Sequence, residues 1–204
     1  MKTKLTYVFS LILCFHCVSM GKADEAAEVS AFVKKLGGQF THHTSNDGGP
    51  GYEIFLPRQT TDADVKAFMA LKPTKTWDLN LAGSPTLSAN VVKELRDLPA
   101  LEFLRVPVST TDEGLKHIAT ALPKLRGLIL QESKITDAGL SHLSSLKQLK
   151  RLNLTATVVT DACWKELAKF PALADVSVTS TTLTGKGLKQ LATLKSLSAL
   201  SLSN

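Results

Sequence analysis

The sequence predicts an α/β solenoid: a right-handed superhelix of stacked repeats, with parallel strands on its concave face and helices on its convex face. Three observations carry that prediction. Short apolar pairs recur as Ile54/Leu56, Leu79/Leu81, Leu104/Val106, Leu128/Leu130, Leu152/Leu154, Val176/Val178 and Leu200/Leu202, with starts 25, 25, 24, 24, 24 and 24 residues apart. Behind each of the first six stands a second block, clearest as Ile135-Thr136-Asp137-Ala138-Gly139-Leu140. Within a unit the apolar spacing then changes from alternation to a helical period.

Each element has its own reason. The L-x-L core alternates like a strand with one buried face. Leu140, Leu143, Leu146 and Leu149 then recur every three residues, as a short helix with one apolar face would place them. Thr136 and Asp137 stand where that helix begins, where a hydroxyl or carboxylate accepts orphan backbone N–H groups and an acid suits the helix dipole. Pro99, Pro123 and Pro171 fall soon after their helices and stop them. One strand and one helix cannot bury their own apolar faces, but stacked units share a continuous core. Two units depart from the Thr-Asp pattern, at Ser88-Ala89-Asn90 and Thr184-Gly185-Lys186, which weakens the capping of their helices.

The pattern L-x-x-L-x-L-x-x-T-x-I-T-D-A-G-L, read over Leu125 to Leu140 and again over Leu149 to Trp164, resembles the leucine-rich repeat family. More narrowly, it looks like the ribonuclease-inhibitor-like T-D-x-G-L subtype common in exported bacterial repeat proteins. The resemblance covers residues 50–204 and implies a leucine-rich-repeat solenoid used as a recognition scaffold.

The ends read differently. Lys2 and Lys4, the apolar run Leu5 to Val18, and the small residues Gly21 and Ala23 fit a signal peptide over 1–23, cleaved before Asp24. The run is too short to span a bilayer stably. Export is the expected localisation: periplasmic, cell-surface or secreted. Without Lys2, Lys4 and Lys22, 21 basic residues face 18 acidic ones, a net charge of +3. That is not a strongly basic nucleic-acid-binding chain. Cys14 and Cys17 leave with the signal, so Cys163 has no internal disulfide partner. Residues 24–53 form an N-terminal cap: Val29, Phe32, Val33 and Leu36 make one helical face, ended by Gly37-Gly38, and Phe40 begins an extended segment. Repeats fill 54–204, as six full units and the start of a seventh.

The chemistry on offer is thin. Asp62, Asp112, Asp137 and Asp161 line up along the repeats, and helix capping accounts for them without a metal. His117 and His142 hold equivalent places in consecutive units, two imidazoles without a third ligand. His42 and His43, near Asp47, point to opposite faces of an extended segment. Cys163 takes the slot of Gly139 and reads as a small buried thiol; Trp164, in the slot of Leu140, reads as core. Gly48-Gly49-Pro50-Gly51 lacks the lysine and helix of a phosphate loop. No nucleophile–base–orienter set appears, so the expectation is a non-enzymatic protein without cofactor or metal.

Surface remains. With L-x-L residues inward, the outward strand positions run Glu53, Phe55, Pro57; Asp78, Asn80, Ala82; Phe103, Arg105, Pro107; and Gly127, Ile129, Gln131. Arg151 follows, and beyond it the face turns small and hydroxylated at Ser177, Thr179, Ser201 and Ser203. Aromatic and arginine side chains anchor interfaces, so Phe55, Phe103, Arg105, Ile129 and Arg151 form the candidate partner-binding set for a protein or peptide. Seven strands of five residues give roughly 450 Å² in plan, short of a standard interface and suited to a peptide-sized partner. The alternative is a structural or self-associating envelope protein without specific ligand. No helix follows Leu200 and Leu202 to cover Leu188, Leu191 and Leu194, so residues 198–204 are expected to fray or to pair as an edge-to-edge homodimer.

Overall fold

In the computed structural model, residues 24–44, 50–184 and 186–202 are described. Residues 1–23, with the expected signal peptide, residues 45–49, with Asp47, and Gly185, Ser203 and Asn204 lie outside them. Helix α1 (Asp24–Leu36) leads into strands β1 (Gln39–Thr44) and β2 (Pro50–Phe55), which pair antiparallel. The repeats then give α2 (Asp62–Ala70), β3 (Thr76–Asn80), β4 (Phe103–Arg105), α3 (Asp112–Ala121), β5 (Gly127–Ile129) and α4 (Asp137–His142). After these come β6 (Arg151–Asn153), α5 (Cys163–Leu167), β7 (Asp175–Ser177) and β8 (Ala199–Ser201). One eight-stranded sheet results, in chain order, parallel from β2 to β8.

The register is the sequence period made solid. Ile54, Leu79, Leu104, Leu128, Leu152, Val176 and Leu200 stand side by side across the sheet. The first six are buried against the helical layer together with Leu140, Leu143 and Leu146. Burying a leucine of this kind contributes about 2 kcal/mol, so the inward row is the main stabilising feature of the stack.

Helical content follows the capping residues. The two units that lack Thr-Asp form only 3₁₀ turns, at Val91–Glu94 and Leu188–Thr193. Two of the retained threonines cap as expected: Thr61 forms a capping box with Asp64, and Thr136 accepts from the Ala138 N–H.

The aspartates act differently from the expectation. Their carboxylates sit at or just before the first helical turn but accept backbone N–H groups from the next repeat, not from their own helix. Asp112 accepts from Thr136 N (2.9 Å) and Oγ1 (2.6 Å), and Asp137 from Thr160 N (3.0 Å) and Oγ1 (2.7 Å). Asp62 serves the Ser88 N–H and hydroxyl in the same way, and Asp161 those of Thr184. Charge-assisted bonds of this kind tie each unit to its successor. Ala89 interrupts the ladder, and the Thr111 hydroxyl makes no capping bond to its helix. The glycine of the motif is explained too: a Cβ on Gly139 would lie 2.1 Å from Asp112 Oδ1.

The first piece closes the stack. Val29 and Val33 are fully buried, and the Phe32 ring meets Phe68 of α2 at 6.4 Å. Glu25 accepts from Thr74 Oγ1 and Lys75 N, and Gln59 donates to the Leu36 carbonyl. At the other end Leu191 and Leu194 are buried and Leu188 is half-buried, contrary to the expectation that all three stand uncovered. The tight 3₁₀ turn folds them inward, and Leu202 is left out instead, 46 % exposed.

Candidate functional site

The outward face of the sheet consists of two rows. One runs Glu53, Asp78, Phe103, Gly127, Arg151, Asp175, Ala199; the other runs Phe55, Asn80, Arg105, Ile129, Asn153, Ser177, Ser201. Phe55, Arg105 and Ile129 thus share the second row, while Phe103 and Arg151 flank Gly127 in the first. From β4 onward the strands are three residues long, not five. These five strands cover only about 240 Å² in plan, while β1, β2 and β3, of six, six and five residues, make the first end of the sheet wider.

Three positions read as outward are covered. Asp78, Gly127 and Pro107 are all buried. Over Asp78 lies Arg105, whose Nη1 donates to both carboxylate oxygens at 2.7 and 2.9 Å while its guanidinium sits 5.5 Å from the centre of the Phe55 ring. Burial pushes the Asp78 carboxyl above its usual range, and the Arg105 charge pulls it part of the way back. Gly127 is roofed by Phe103: a Cβ there would lie 2.3 Å from the ring. Arg105 is therefore committed to the protein itself, whereas Arg151 is 56 % exposed and pairs with a half-exposed Asp175 at 3.1 Å.

Trp77, Arg126 and Lys150 were missed by sequence reasoning. A register shift at Tyr52/Glu53 leaves Trp77 between strand partners, where it stacks on His43 (4.9 Å) and meets Phe103 (4.9 Å). Arg126 and Lys150 precede their strands by one residue, in a rim series Glu102, Arg126, Lys150, Ala174, Ser198 that an L-x-L template does not cover. The series is joined by its backbone: Arg126 N donates to Glu102 O, Lys150 N to Arg126 O, Ala174 N to Lys150 O and Ser198 N to Ala174 O. Extending the 24-residue period one position upstream would have found them. With Phe103, Arg151 and Asp175 they line a groove of about 600 Å³.

The other candidates take structural places. His43 lies on Trp77, while His42 meets Phe40 and Tyr52 edge-on, so the two rings do point apart. His117 is half-buried and His142 exposed. Burial, with Asp137 and Asp161 adding, pushes the Cys163 thiol up to about 12, so the uncharged form persists at neutral pH. Trp164 is fully buried, its Nε1 donating to Asp161.

The repeat register, the inward leucine row and the single sheet, parallel from β2 to β8, define a leucine-rich-repeat solenoid. No protein-family model matches the chain, and no curated protein does either. Among solved structures it is similar to an internalin from Listeria monocytogenes, at 20% identity and a TM-score of 0.46, over 67% of this chain and 44% of that one. It is also similar to the structure of the Rad7 and Elc1 complex in yeast, at 15% identity and a TM-score of 0.49, over 100% of this chain and 52% of that one. The chain thus spans about half the length of these two solved chains.

Proposed function

We propose that this protein is an exported, non-enzymatic leucine-rich-repeat module of the T-D-x-G-L subtype that recognises a protein or peptide through its concave sheet face. One observation carries the reading: the register gathers Phe55, Phe103, Arg105, Ile129 and Arg151 on a single face of the sheet. The narrow sheet favours a peptide-sized contact over a broad domain interface. The test is a pull-down from envelope and secreted fractions with wild type and a Phe103→Ala plus Ile129→Ala variant, their melting curves compared first. Loss of specific partners in the variant is expected, and identical partner profiles would sink the face.

Export is tested separately, by sequencing protein from the extracytoplasmic fraction, which should begin at Asp24. Self-association is the second reading, favoured by the exposed apolar Leu202. Light scattering across concentration should then show a dimer that Ser201→Lys converts to monomer.

A further inference from the structure

Of the two arginines on the face, Arg105 is bound to a buried acid while Arg151 is exposed with its ion pair in water, and the space beside Arg151 has a definite chemistry. Phe103 supplies an aromatic wall, and Ala174, Ser198 and Ala199 a floor of small residues. Arg126, Lys150 and Arg151 supply three cations; Arg126 is held by the buried Glu102 at 3.3 Å and Arg151 by Asp175. Among the described residues Lys150 has no carboxylate partner, although its neighbour in each adjacent direction along the groove is charged or small.

We propose that this groove docks an anionic peptide segment, its carboxylates on Lys150 and Arg151 and an apolar side chain against Phe103. The proposal rests on the concave-face reading and narrows it to one place and one partner chemistry.

Three features of the groove fix that chemistry. The lining holds three cations and one acid, so an acidic segment completes the charge. Asp175 nevertheless stands in the lining, with the buried Glu102 behind Arg126, and the two acids repel a continuous polyanion, which disfavours a phosphate backbone and suits a peptide that alternates carboxylates with N–H donors. The rim backbone is spent, because Lys150 N and Arg151 N both donate to Arg126 O and Ala174 N and Asp175 N both donate to Lys150 O. Recognition there falls to side chains, not to strand addition. The Arg151–Asp175 pair is solvent-screened, so a ligand carboxylate replaces Asp175 at little cost. Arg105, bonded twice to a buried acid, makes no such exchange. The volume lies within the ~300–1,000 Å³ of small-ligand clefts, room for a few residues of chain.

The test uses the purified chain on arrays of immobilised hexapeptides that combine Leu or Phe with Asp and Glu, with Asn and Gln, or with Lys and Arg. Retention on the acidic spots, well above the amide and basic spots and weakening with salt, is expected. Lys150→Glu with Arg151→Glu should reduce it to the amide level, while Lys116→Glu with Lys165→Glu, the same charge change on the helices, should leave it intact. Equal loss in both pairs, or no loss in the first, overturns the groove. If acidic retention is instead lost in Phe55→Ala with Ile129→Ala, the groove fails and the concave-face reading stands. Absence of acidic retention also overturns the groove, and the pull-down above then decides the wider reading independently.

Discussion

The two ends of the sheet are built from the same repeat and hold themselves together differently. Around β2 to β4 an acid lies beneath an arginine, the arginine lies against Phe55, and the column His43, Trp77, Phe103 closes the rim. Around β6 to β8 the corresponding acid and arginine, Asp175 and Arg151, face water, and hydroxyls replace the rings: Thr155 Oγ1 lies 3.0 Å from both Ser177 Oγ and Thr179 Oγ1. The inward row follows the same gradient, from a fully buried Leu104 to a half-buried Leu200. A repeat gives every unit one backbone; what each side chain can do depends on what the neighbouring units place over it.

The largest expected effect tests the gradient in the core. Leu104→Ala should cost about 2–5 kcal/mol, because the neighbouring strands cannot collapse into the cavity. Leu200→Ala should cost about 1 kcal/mol or less, since that side chain keeps water contact already. Equal shifts in denaturant midpoint would mean that the last strand is as well packed as the middle.

Next come the two ion pairs. Arg105→Met strands a buried carboxylate and should cost about 2 kcal/mol at neutral pH, less than a fully buried pair because Arg105 itself is partly exposed. Arg151→Met should stay within about 0.5 kcal/mol. Acidity supplies the sign. A carboxyl whose folded pKa lies above its unfolded value binds protons more readily when folded, so its contribution to stability falls as pH rises through that window. With Arg105 gone the window widens upward, and the Arg105→Met penalty should shrink as pH is lowered toward the range where Asp78 protonates. A penalty that grows on acidification would contradict the buried-acid reading.

The smallest effect concerns the ladder. Ala89→Asp should supply the missing acceptor for Thr111 and stabilise by about 0.5 kcal/mol in thermal melts, the modest net gain of an exposed hydrogen bond. No gain would mean that the 3₁₀ start at Val91 holds residue 89 away from the next unit.

Much of this architecture was legible in the sequence because a period of 24–25 residues leaves little freedom: Ile54 through Leu200 had to align, and they do. The candidate face was legible only as rows. Phe55, Phe103, Arg105, Ile129 and Arg151 do point outward, yet Arg105 is occupied by Asp78. Trp77 escaped notice because a bulge breaks the alternation on which the reading depended, and Lys150 because it stands one residue outside the strand template. The aspartates were placed correctly at helix starts and assigned the wrong acceptor role, since a carboxylate two bonds from its own backbone reaches the next unit as easily as its own helix.

The sequence by itself determined the solenoid and the inward leucine row, because a repeated apolar period acts on each unit alone, whereas it predicts helices also at Val91–Glu94 and Leu188–Thr193, where only 3₁₀ turns form. Only the tertiary structure decided which outward groups are open. Asp78 is closed by a residue 27 positions later, Gly127 by one 24 earlier, and the groove beside Arg151 by rim residues from successive units. Exposure depends on side chains that stacking brings within a few ångströms across a whole repeat, and no local pattern carries that distance.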